Sequence, residues 1–178
     1  LLNSKTDAAD SVRLEDYGQF DGVFAGGRIR LAALGVGTER ELLCFNQNPG
    51  ADAAGKPFVP PAQLKWFRNK IFRQAVSCAI DRDRLAQGVY GGRARPSHGL
   101  ISAENQKWNN AGVPLYTWDP GRARALFEQI GLLDRNHDGI LRDADGTPVE
   151  FTLITNTKNP LRERCAQLIA DDLWKLGV

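Results

Sequence analysis

The sharpest chemical pattern in the 178 residues is Asp134-Arg135-Asn136-His137-Asp138-Gly139-Ile140, closed by Asp145. A calcium loop needs oxygen donors at its first, third, fifth and twelfth places, a glycine at the sixth and a backbone carbonyl at the seventh. Asp134, Asn136, Asp138 and Asp145 fill the donor places, Gly139 is the glycine, and Ile140 offers the carbonyl. Two departures weaken the match. Asp145 stands where a longer Glu usually reaches the ion with both oxygens, and Arg142 brings positive charge to a place that often coordinates through water. A helix precedes the loop, but Gly146-Thr147-Pro148 and a strand-like stretch follow it. The pattern predicts either a structural calcium ion or a chain of Asx turns, in which short acids accept hydrogen bonds from backbone N–H groups just downstream.

Other chemistry is thinner. Gly35-Val36-Gly37 follows a strand-like stretch, but Arg40 stands where a dinucleotide fingerprint has its third glycine, and no helix opens there. Ser97 and His98 are adjacent, yet a nucleophilic dyad needs facing side chains and an orienting carboxylate. His98 and His137 are the only histidines, and neither has zinc spacing to Cys44, Cys78 or Cys165. Three widely spaced cysteines form no disulfide framework, and Cys78 and Cys165 fall on apolar helix faces. The basic residues Lys65, Arg68, Lys70 and Arg73 read as the solvated side of a helix. No catalytic constellation emerges, so an enzyme is not expected.

The elements that position these residues follow from periodicity and punctuation. Residues 1–27 are polar and Gly-rich and read as an irregular entry segment. Residues 28–34 and 42–46 read as short strands, the second stopped by Asn48-Pro49-Gly50. Residues 47–63 hold four prolines and form a loop. From Leu64 an apolar stripe runs through Phe67, Ile71, Ala75 and Cys78, which predicts one continuous helix. Asp81 caps a short helix that ends at Gly91-Gly92. Residues 93–117 lose all periodicity and form a long loop, a kind that is often functional. Asp119-Pro120 and Asn159-Pro160 each pair an N-cap with proline at the first helical position. Residues 149–154 alternate as a strand, and Gly131 and Gly177 supply left-handed helix stops. The order over residues 28–178 is α/β.

Bulk properties exclude several partners. A formal charge of +2, from 23 basic and 21 acidic residues, gives no field to hold nucleic acid. No apolar run approaches the roughly 18 residues of a membrane span. The chain has no Met, so it is expected to be a processed or excised piece.

The succession of blocks is more specific than any single motif. Leu43-Cys44-Phe45-Asn46 is followed by Phe72-Arg73-Gln74-Ala75-Val76-Ser77-Cys78-Ala79-Ile80-Asp81-Arg82, and then by Tyr90-Gly91-Gly92. Trp118-Asp119-Pro120 with Ala123, Ala125, Leu126 and Gly131 comes next. Asp138-Gly139, Asp145-Gly146 and Leu173-Trp174-Lys175-Leu176-Gly177-Val178 close the series. From about Arg28 onward this order resembles the family 5 solute-binding proteins of dipeptide, oligopeptide and nickel ABC importers.

The resemblance implies part of one lobe of a periplasmic-binding-protein-like (type II) fold, a mixed sheet flanked by helices and cut before its next strand. That partial lobe is residues 28–178, and the resemblance implies a periplasmic or extracellular receptor, with a lipid anchor as one mode of attachment. Such a receptor closes on a small solute such as a peptide, with the missing second lobe of the same protein, and docks on ABC permease subunits in the membrane. No cofactor is required beyond the structural calcium left open above. Ligands of open α/β sheets sit beyond the strand carboxyl ends, near helix N-termini. That places Thr155, Asn156, Thr157 and Lys158 first among solute-binding candidates, with Lys158 facing a peptide carboxylate. The 93–108 loop, with Arg95, His98 and Trp108, is the second candidate wall. The main ligand-amine contact of the family lies outside this chain. The rival expectation is a calcium-stabilised structural or protein-interaction domain.

Overall fold

A computed structural model describes residues 39–178 without interruption, together with residues 7–9, 12, 13, 16–20, 26, 27, 29, 30, 32, 35 and 37. Of the strand expected over 28–34 and the Gly35-Val36-Gly37 motif, residues 28, 31, 33, 34 and 36 lie outside the described residues. Two compact units divide the chain, Leu1–Gly37 and Thr38–Val178. In the first, a single helical turn spans 17–20, and Arg13 pairs with Asp16 at 2.9 Å just before it.

The second unit is built on five helices: α1 (Pro61–Arg68), α2 (Lys70–Ala79), α3 (Arg82–Gly88), α4 (Pro120–Gln129) and α5 (Pro160–Trp174). The helix expected to run unbroken from Leu64 is two helices. Asn69 takes an extended backbone, ending α1, and its side chain accepts from Ile71 N at 2.9 Å to cap α2. A short amide side chain competes well for a free backbone N–H, and here it outweighs an uninterrupted apolar stripe. The other three caps form as expected. Asp81, Asp119 and Asn159 accept from Arg84 N, Arg122 N and Arg162 N at 2.9, 2.9 and 3.0 Å.

The core sits around α2, which packs against α1, α4 and α5. Phe72, Ala75 and Cys78 are fully buried, as are Ala123 and Phe127 of α4. Phe45, Phe67, Phe72, Phe127 and Phe151 form a continuous aromatic cluster with ring centroids 5.1–6.2 Å apart, in tilted and edge-to-face arrangements. Burying a Phe in such a setting is worth about 3–5 kcal/mol against alanine.

The expected strands 42–46 and 149–154 are present as chain segments but not as ladder members. Among the described residues there are only isolated antiparallel bridges: Ala51 with Pro57, Leu133 with Arg142, and Arg142 with Pro148. Residues 149–153 keep the in–out alternation of a strand, since Val149, Phe151 and Leu153 turn inward while Glu150 and Thr152 face solvent. Alternation sets which face a segment buries; a ladder also needs a second edge alongside it. Among the described residues, the one backbone–backbone bond from that stretch to a neighbouring segment is Val149 N to Leu141 O at 2.8 Å. No helix among the described residues is long and apolar enough to cross a membrane.

Candidate functional site

The extended segment that ends at the 90 % exposed Ile154 leads into the turn Thr155-Asn156-Thr157-Lys158, exposed at all four positions. Lys158 adopts a left-handed backbone with φ 63° immediately before the capping Asn159. A side chain carries a steric penalty there, so surrounding contacts must hold the conformation. Arg162, in the first turn of α5, supplies side-chain contacts to the neighbouring Asn156. Its Nη1 donates to Asn156 Oδ1 at 3.0 Å, and its Nε meets Glu41 Oε2 at 2.8 Å. Tyr90 and Cys165 lie beside Glu41, with the thiol and the phenol oxygen 3.7 Å apart. Burial and this hydrogen bond push the Tyr90 hydroxyl well above its ordinary pKa, and burial raises Cys165 as well.

The second candidate wall has different neighbours. Residues 93–117 contain turns but no helix or strand, as expected. Arg95 is exposed, and Trp108 is 67 % exposed with the Lys107 ammonium 5.4 Å from its ring centre. His98 is half-buried near Arg82 and Asp83, and its Nδ1 is buried without a hydrogen-bond partner among the described residues. Burial first, and the Arg82 charge second, lower its pKa, which keeps the ring neutral at physiological pH. Arg82 ties the end of this loop to the core: its guanidinium donates to Ser77 O and Ser77 Oγ, both at 2.8 Å, and to Tyr116 O at 3.3 Å. The hydrogen bonds of the 155–158 turn therefore lead to Glu41 and α5, while those of the loop lead to α2 and α3.

The acidic loop folds as the Asx-turn alternative requires. Asp134 accepts from Asp138 N at 3.1 Å and Gly139 N at 2.9 Å, and Asp138 accepts from Ile140 N at 3.1 Å. Arg142 grips the Asp138 carboxylate through both terminal guanidinium nitrogens, Nη1 and Nη2, at 2.9 and 2.7 Å. Its hydrogen bonds hold that carboxyl down to about 2. Asn136, Ile140 and Asp145 are exposed, and among the described residues no three acids, histidines or cysteines converge as a metal cluster would. The buried acid of this loop is Asp143, which accepts from Asp145 N and Thr147 N at 3.0 Å. Arg142 thus bonds both oxygens of Asp138, the acid at the fifth place of the calcium pattern.

Sequence reasoning missed Glu41, Arg162 and a second buried acid. Asp172 on α5 is 7 % exposed and accepts from Arg84 Nη2 at 2.7 Å and Asp81 N at 3.1 Å, which locks α5 to the start of α3. An acid inside the apolar stripe of α5 is the signal that was there to find, because buried carboxylates are rarely without partners.

Residues 7–178 match the profile of the bacterial extracellular solute-binding proteins, family 5 (middle part), and the chain belongs to that family. Among curated relatives, a "Probable ABC transporter-binding protein" of Deinococcus radiodurans is 36 % identical over 116 residues, which is 65 % of this chain and 20 % of the relative. The oligopeptide-binding protein AppA of Bacillus subtilis is 33 % identical over 115 residues, 63 % of this chain and 21 % of AppA. The structure of AppA in complex with a nonapeptide superposes with a TM-score of 0.60 at 30 % identity, covering 64 % of this chain and 23 % of that one. An oligopeptide-binding protein from Thermus thermophilus, complexed with a pentapeptide, gives a TM-score of 0.56 at 32 % identity and covers 65 % and 20 %. The chain thus spans about a fifth of the length of these relatives.

Proposed function

We propose that this chain is part of one lobe of a solute receptor, with peptides as its solute class, that delivers its ligand to an ABC importer. The observation that carries the reading is the family match over residues 7–178. Relatives named as oligopeptide-binding proteins, two of them solved with peptides, support the solute class. The extended segments 42–46 and 149–154 would become strands of a mixed sheet once neighbouring edges from the rest of the lobe lie beside them. The lobe would close against a second lobe, dock on permease subunits and work in the periplasm or outside the cell.

Solute contacts are assigned to Thr155, Asn156, Thr157 and Lys158 first, because a strand end and a helix N-terminus meet there. Arg95, His98 and Trp108 form the second wall. The receptor binds and releases without chemistry, and it requires no cofactor. Arg142 supplies the positive charge at the acidic loop. Nothing observed favours the calcium-stabilised interaction domain over this reading.

Titration calorimetry with an equimolar random-sequence pentapeptide pool tests it. The complete gene product should give saturable binding, and the 178-residue chain alone should give none, because a cleft needs both walls. Micromolar binding by the chain alone, or none by the complete protein, would overturn the reading.

A further inference from the structure

The 155–158 turn is exposed at all four positions and contains a left-handed Lys158, so its shape depends on hydrogen bonds from neighbouring residues. Arg162 meets this need from three directions. Its backbone N–H is bound by the capping Asn159 at 3.0 Å, so the residue belongs to the rigid first turn of α5. Its Nη1 reaches back over Thr157 and Lys158 to Asn156 Oδ1, closing the turn into a ring. Its Nε pairs with Glu41, 121 residues away in sequence, which lies just before the segment whose Phe45 enters the aromatic core. A planar guanidinium can hold two acceptors at fixed angles; an ammonium is a point charge without that fork.

We infer that Arg162 is the positioning residue of the solute site: it sets the shape of the 155–158 turn and ties that shape to the 41–45 segment. The inference rests on the assignment of 155–158 as a solute wall. Arg162 itself need not touch the solute. Glu41 and Arg162 are each a little under half exposed, so the clamp is open to solvent and is not a buried stability element.

The test uses the complete gene product and the random pentapeptide pool as probe, with affinity read by calorimetry and amide exchange read at 155–158 without peptide. Arg162→Lys should weaken binding about tenfold, since the ion pair to Glu41 survives but the fork to Asn156 does not. Its melting temperature should stay within about 2 °C of wild type, while exchange at 155–158 accelerates. Arg162→Met and Asn156→Ala should each weaken binding, and the double variant should lose less than the sum of the two singles, because they share the Arg162–Asn156 bond. Affinity within twofold for both Arg162 variants, with Lys158→Ala and Asn156→Ala still impaired, would overturn the positioning role and leave the site in place. Unchanged binding in Lys158→Ala, Asn156→Ala and Thr157→Ala would overturn the site assignment and the inference with it. If Arg162→Met fails to fold, the exchange rates and affinity of Arg162→Lys decide the matter alone.

Discussion

Replacing Gly177 by alanine separates two costs that are usually confounded. Gly177 follows α5 with φ +85°, and a Cβ built there would come within 2.5 Å of Gly139 O and 3.0 Å of Leu141 N. Gly131 follows α4 with nearly the same φ of +79°, and a Cβ there meets nothing within 4 Å. Both substitutions carry the left-handed penalty of roughly 1–2 kcal/mol, reduced by roughly 0.4–1 kcal/mol because alanine restricts the unfolded chain. Only Gly177→Ala also drives backbone apart, and the 2.8 Å bond from Leu141 N to Gly177 O is the first casualty. A lost bond adds about 1 kcal/mol, before any further strain. Gly131→Ala should therefore cost under about 1.5 kcal/mol and Gly177→Ala about 2–3 kcal/mol. Near 2–4 °C per kcal/mol for a chain of this size, that is roughly 5–10 °C of melting temperature for Gly177→Ala in a calorimetric scan. Equal losses at the two sites would refute the claim that the end of α5 is seated on the acidic loop.

Three further outcomes follow from side chains already placed. Asp138 should titrate near 2 by NMR, and Arg142→Gln should return it toward the ordinary carboxylate range. Its folded pKa is depressed, so its contribution is present above the unfolded value near 3.8 and is lost as pH falls toward 2. Thiol labelling of the native chain should modify the exposed Cys44 first, Cys165 slowly and the buried Cys78 only on unfolding, since burial raises the pKa of the last two. Calcium at millimolar concentration should leave the melting temperature unchanged in wild type. A large upward shift would show that the ion, and not Arg142, organises the 134–145 loop.

What the sequence disclosed, and what it withheld, divides by range. Asp81, Asp119 and Asn159 were readable because a cap involves only the next three residues, and proline marked two of the three. The left-handed stops at Gly131 and Gly177 were readable for the same reason. Asn69 was not. Its neighbours continue the helical stripe on both sides, and the competition between cap and stripe is decided by a fraction of a kcal/mol to about 2. Strand pairing was withheld because alternation at 149–153 names a face and not a partner. The 155–158 turn was found from the strand–helix junction, but its clamp was not, since Glu41 and Arg162 carry no local pattern that links them across 121 residues. Asp172 with Arg84 is a similar case, 88 residues apart.

The most direct measurement is a crystal structure of the complete gene product with a pentapeptide bound. Residues 149–153 should lie within a hydrogen-bonded sheet, with peptide atoms within about 3.5 Å of the 155–158 turn. A peptide seated away from both 155–158 and the 93–108 loop, with 149–153 still unpaired, would contradict that arrangement.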